Sequence, residues 1–148
     1  MNKTISLKNR KTILTSTFVM AVLVGGLISP QLAYANTFVL LIDIDIKPGS
    51  DPNSINSKSM GLVPVAILSS ADFDATSVDV TTVTFGPGKA APVHSGHLED
   101  VNGDGLTDMV VHFAQKDTGL SPGDIEATLI GVTNDGIDFC GMDAVIVK

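Results

Sequence analysis

Beyond residue 35, turn-forming residues interrupt this chain so regularly that only short, mostly alternating segments remain between them. Pro48-Gly49-Ser50-Asp51-Pro52-Asn53, Gly86-Pro87-Gly88, Gly119 with Pro122, and Asn134-Asp135-Gly136 are the interruptions. Prolines withhold a ladder donor, and Gly, Asn and Asp tolerate the positive φ of tight turns. Over residues 37–47, Ile42, Ile44 and Ile46 point one way and Asp43, Asp45 and Lys47 the other, which predicts a strand with one wet face. Residues 61–69 (GLVPVAILS) are apolar on both faces and predict a buried strand. Pro64 cannot donate there, so an edge position or a bulge is expected.

The remaining segments read the same way. Phe73 is an expected core anchor. Val78, Val80, Val83 and Phe85 hold no single period, which predicts a turn and then a short strand over 82–85. Residues 89–96 read as a loop. Residues 109–114 (MVVHFA) predict a strand with Met109, Val111 and Phe113 on one face. Over 124–132, Ile125, Ala127 and Leu129 alternate against Glu126, Thr128 and Ile130. Asn134-Asp135-Gly136 is a hairpin signal, and residues 144–147 close the chain as a last short strand. About seven short strands and no helix point to an all-β, antiparallel β-sandwich of Ig-like or Greek-key type, with a small closed barrel as the competing architecture.

Residues 1–35 stand apart. A basic head (Lys3, Lys8, Arg10, Lys11), an uncharged apolar run over 13–28, Pro30 and then Ala33-Tyr34-Ala35 read as a secretory signal peptide cleaved after Ala35. An uncleaved anchor is the competing reading, but the run is short for the ~20 residues of a membrane span. Residues 36–148 then form one domain, destined for the extracellular space or cell envelope. Its five lysines against sixteen Asp and Glu leave a formal charge of −11 over 113 residues. That balance argues against nucleic acid or anionic lipid as partner and favours divalent cations. No second apolar run is long enough to span a bilayer. Cys140 is the single cysteine, which excludes an internal disulfide and predicts a buried or half-buried thiol, with pairing to another chain as the alternative.

The acidic stretch EDVNGDGLTD carries the most specific chemistry. Asp100, Asn102, Asp104 and Asp108 occupy places one, three, five and nine of a tight loop, the Leu106 carbonyl the seventh, and Gly105 the sharp bend at the sixth. This is how a short loop wraps Ca2+; magnesium, which demands a strict octahedron and retained water, is the poorer fit. The motif resembles the calcium loops of EF-hands, dockerin modules and integrin-type propellers. It departs from the EF-hand at the twelfth place, where Val111 replaces a bidentate Glu, and in the strand that follows. Glu99, Asp117 and Asp124 are the unranked candidates for a further ligand. Without that Glu, affinity is expected in the range of ~10⁻⁴ to 10⁻³ M, a structural ion rather than a switch.

The wider chain resembles a short secreted bacterial β-rich module with no assigned activity, through residues 44–56 (IDIKPGSDPNSIN), 61–74, 83–87, the acidic loop with its HF strand, and 117–131. The resemblance implies export and a sandwich-like fold. Similar modules carry a cysteine near Thr128 able to bridge to one at Cys140, and that partner is absent here.

His94, His97 and His112 are the residues available for zinc or general-base chemistry, which needs a convergence that spacing alone does not provide. His97 is also placed to brace the loop after it. No GxSxG elbow, HExxH helix or phosphate-cradling glycine loop is present, so an enzyme is not expected. The leading expectation is a secreted, non-enzymatic calcium-binding module that acts as a binding or adhesion element toward a protein or glycan surface. A carbohydrate-binding module is the first alternative, weakened by the absence of Trp and by the single Tyr34 lying in the leader. A His-dependent metal hydrolase is the second.

Overall fold

The chain enters its fold by crossing between two sheets within nine residues, and Asp43 is the crossing point. The computed structural model describes residues 14–15 and 38–148. The expected leader and its cleavage site lie outside the described residues, apart from Leu14–Thr15 (β1). β2 (Phe38–Ile42) and β3 (Ile44–Ile46) were expected as one strand; they belong instead to different sheets. The alternation survives the crossing, since Ile42, Ile44 and Ile46 are all buried. At the break, the Asp43 carbonyl accepts the Leu68 N–H at 3.0 Å.

The other strands are β4 (Ser54–Ile55), β5 (Leu62–Ile67), β6 (Val78–Phe85), β7 (His97–Glu99), β8 (Asp108–Ala114), β9 (Glu126–Thr133), β10 (Asp138–Ala144) and β11 (Ile146–Val147). Two single 3-10 turns, Ala75–Ser77 and Gln115–Asp117, complete the elements among the described residues. One sheet runs β1-β2-β10-β9-β6, a second runs β3-β5-β8-β7, and β4 with β11 makes a small third. The second sheet is antiparallel throughout, whereas β2 pairs parallel with β10 and β4 with β11. The fold is therefore an all-β sandwich with more strands than expected.

The core lies between the sheets. Phe85 of β6 meets Phe113 of β8 with ring centroids 5.1 Å apart, and Phe73 meets Phe139 of β10 at 5.6 Å. Such tilted pairs add ~0.5–1.5 kcal/mol beyond the area they bury. Gly131 makes room for this packing, because a Cβ there would stand 2.7 Å from the Phe139 ring.

Pro64 lies in β5, which is an interior strand between β3 and β8 rather than an edge. Its missing donor falls where β3 ends: Lys47 N–H donates to the Pro64 carbonyl at 2.8 Å, then Lys47 turns away at φ 57 and its own carbonyl takes the Ser50 N–H. No ladder bond is lost. The irregular 78–85 segment is one bulged strand rather than a turn and a strand. Its register against β9 shifts between Asp79 and Thr84, and the Thr82 hydroxyl takes the Val132 N–H at 2.9 Å. Ala127 and Leu129 face the core as expected, but Ile125 precedes β9 and is 80% exposed. The Asn134-Asp135-Gly136 turn joins β9 to β10 as expected, with Gly136 at φ 82 and its N–H on the Thr133 carbonyl. Cys140 in β10 is half-buried, directly opposite Ile130. Among the described residues no helix is long and apolar enough to cross a membrane.

Candidate functional site

The 100–108 segment bridges β7 and β8 at one end of the second sheet, and its own amides shape it. Asp100 is its hub: one carboxylate oxygen accepts the Gly103 and Asp104 N–H groups (2.8 and 3.1 Å), the other that of Gly105 (2.9 Å). Asn102 Oδ1 accepts the Asp104 N–H at 3.0 Å and its amide donates to Asp104 Oδ2 at 3.1 Å. Asp104 Oδ1 in turn accepts the Leu106 N–H at 2.8 Å. Gly103 (φ 73) and Gly105 (φ 86) face open space, so their backbone conformation rather than crowding calls for glycine.

Asp108 differs from the other three. It is fully buried at the base of the loop, where one oxygen accepts the Ser69 N–H (2.8 Å) and the other the Val101 N–H (2.9 Å). The Ser69 hydroxyl completes the joint, donating to the Thr107 carbonyl at 2.6 Å and accepting the Ala75 N–H at 2.9 Å. This tie to the end of β5 was not legible in the sequence, because Ser69 lies 39 residues away.

As the side chains stand, no group of three or more His, Cys, Asp or Glu among the described residues is arranged to hold a metal. The donor set nevertheless fits calcium in kind. An ionised carboxylate has about four lone-pair positions. Asp100 uses three for N–H bonds and Asp108 two, so both keep acceptor capacity, as does Asp104. Of the three further candidates, Glu99 sits directly opposite Asp108 in the β7–β8 register. Asp117 follows the far end of β8, ~20 Å away at ~3.3 Å per residue. The Asp124 carboxylate closes its own turn, accepting the Ser121 N–H at 2.8 Å.

The three histidines, far apart or helix-spaced in sequence, come together on one face. His97 pairs with Val110 in the β7–β8 register, and His112 lies two residues further along β8 on the same side. The chain before β7 runs beside β8 as well, since Val93 N–H donates to the His112 carbonyl at 3.0 Å. Gly96 permits this approach: it sits at φ 75, and a Cβ there would stand 2.7 Å from the Val110 carbonyl. The His94 and His112 ring centroids are 4.8 Å apart and those of His97 and His112 5.7 Å. His112 Nδ1 is buried without a hydrogen-bond partner among the described residues, a deficit of the kind that costs ~1–3 kcal/mol. Burial, and then the two neighbouring imidazoles, pull the His112 pKa below its ordinary value. Glu99 approaches His97 Nε2 at 3.6 Å, so His97 touches the residue next to the acidic loop.

A separate cleft of about 530 Å³ opens between β3 and β10, lined by Asp45, Asp51, Asn53 and Asp143 among others. Asp143 Oδ2 holds the Ile46 N–H (2.9 Å) and the Asn53 amide (2.8 Å), while Asn53 Oδ1 is buried without a partner among the described residues. Burial and the Asp143 charge push the Asp45 carboxyl up from its usual range. Nothing in the sequence links residue 143 to residues 45 and 53. Burial, and then Glu126, also raise the Cys140 thiol. No family model, curated protein or solved structure matches the chain.

Proposed function

We propose that this chain is an exported, non-enzymatic β-sandwich module that binds one calcium ion in its 100–108 loop and acts outside the cell or in its envelope as a binding or adhesion element. One observation carries the calcium reading. The Asp108 carboxylate is fully buried with two neutral N–H partners and no Lys, Arg or His ion partner among the described residues. A buried charge is costly without a counter-charge. A calcium ion held by Asp100, Asn102, Asp104, the Leu106 carbonyl and Asp108 would supply it, and would relieve the crowding of like charges within nine residues. The acidic excess of residues 36–148 and the leader-like 1–35 segment support export and a cation-rich setting.

With ~2 mM calcium and a dissociation constant near ~0.1 mM, binding adds about 1.8 kcal/mol to folding. For a domain of this size that raises the melting temperature by about 7 °C. Melting in calcium and in chelator, beside an Asp104→Ala variant, is the test. A shift of that order that disappears in the variant supports the reading; a chelator-insensitive melting temperature refutes it.

A further inference from the structure

We propose that His94, His97 and His112 form a second, independent site for a borderline divalent transition metal such as Zn2+ or Ni2+, on the outer face of the β7–β8 edge. Imidazoles bound to zinc at 2.0–2.1 Å with tetrahedral angles have ring centroids ~5 Å apart. The observed separations of 4.8 and 5.7 Å bracket that value. Both separations measured from His112 are thus of the size a shared ion requires; as the side chains stand, no three such groups among the described residues hold a metal, and what the placed rings lack is the aim of their nitrogens. An imidazole centroid lies close to its Cβ–Cγ axis, so rotation about χ2 redirects the nitrogens and leaves the centroid almost unmoved. His94 and His97 are exposed, and exposed side chains make such turns in ps–ns.

Two further observations point to a ligand. His112 Nδ1 is a buried acceptor or donor with no partner among the described residues, on the ring against which the other two rest. Glu99 lies 3.6 Å from His97 Nε2, the relation in which a carboxylate fixes the orientation of a metal-bound imidazole while the other ring nitrogen takes the metal. His94 Nδ1 accepts only an exposed, 3.2 Å bond from the Gly96 N–H, which it can exchange for the ion. Three neutral nitrogens select zinc, nickel or copper over calcium, whereas the all-oxygen loop selects the reverse. A fourth position is left for water or for a donor from another molecule.

The test is calorimetric titration of the chelator-stripped chain with zinc chloride in the presence of 2 mM calcium, which occupies the loop. We expect one equivalent of zinc to bind, with affinity falling at least tenfold in His94→Ala and in His97→Ala, two surface changes that leave melting unaltered. Asp104→Ala is expected to bind zinc as the unmodified chain does, and Co2+ is expected to give visible bands that His112→Gln abolishes. Absence of zinc binding overturns the proposal. So does zinc binding that survives the two surface variants together, or that is lost with Asp104→Ala.

Discussion

Replacing Asp108 by alanine in the presence of chelator isolates the part of this account that depends on folding alone. The carboxylate is the acceptor for two N–H groups, Ser69 and Val101, at 2.8 and 2.9 Å, in a fully buried setting. Hydrogen bonds to a charged group contribute ~1.5–3 kcal/mol each, and stranded donors carry their desolvation penalty. Against this, removing the carboxylate also removes a buried charge, which offsets part of the loss. A net destabilisation of about 3 kcal/mol is expected, and for a domain of this size it lowers the melting temperature by about 13 °C. Circular dichroism melting of the two proteins in EDTA measures it. In ~2 mM calcium the gap should widen by about 1.8 kcal/mol, because the variant also loses a ligand. A loss below about 1 kcal/mol in EDTA would refute the reasoning, since it would mean that Asp108 does not tie the loop to β5.

Two other outcomes follow from the packing and the titrations. Gly131→Ala places a methyl 2.7 Å from the Phe139 ring and 3.1 Å from Val83, and should cost about 1–3 kcal/mol in urea unfolding. For His112 the folded pKa lies below the unfolded value of about 6.5, so the unfolded chain takes up the proton first as pH falls. Its contribution is intact above about pH 6.5 and declines as pH drops toward the depressed folded value. In chelator, the melting temperature of His112→Gln should therefore fall less between pH 7.5 and 5 than that of the unmodified chain.

The sandwich was legible because burial on one face enforces a period of two, as Ile42, Ile44 and Ile46 illustrate even across a change of sheet. What resisted reading was set by distant partners. Pro64 looked like an edge residue because its local chemistry forbids a donor, yet its strand is interior because β3 happens to stop where that donor would have been used. Ile125 fitted an alternating pattern but lies just before the strand starts, so nothing covers it. Within the acidic loop, the positions and the glycines were evident from spacing. The contrast between exposed Asp100 and Asp104 and buried Asp108 was not, because it depends on Ser69, two residues past the end of β5. The histidines show the same limit. Their convergence comes from the β7–β8 register and from the close approach at Gly96, and neither can be counted along the chain.

Calorimetric titration of the stripped chain with calcium tests most directly whether the 100–108 loop holds an ion. The account predicts one equivalent bound with a dissociation constant of ~10⁻⁴ to 10⁻³ M, abolished in Asp104→Ala and untouched in His94→Ala. A flat titration, or an affinity that Asp104→Ala leaves unchanged, would contradict it.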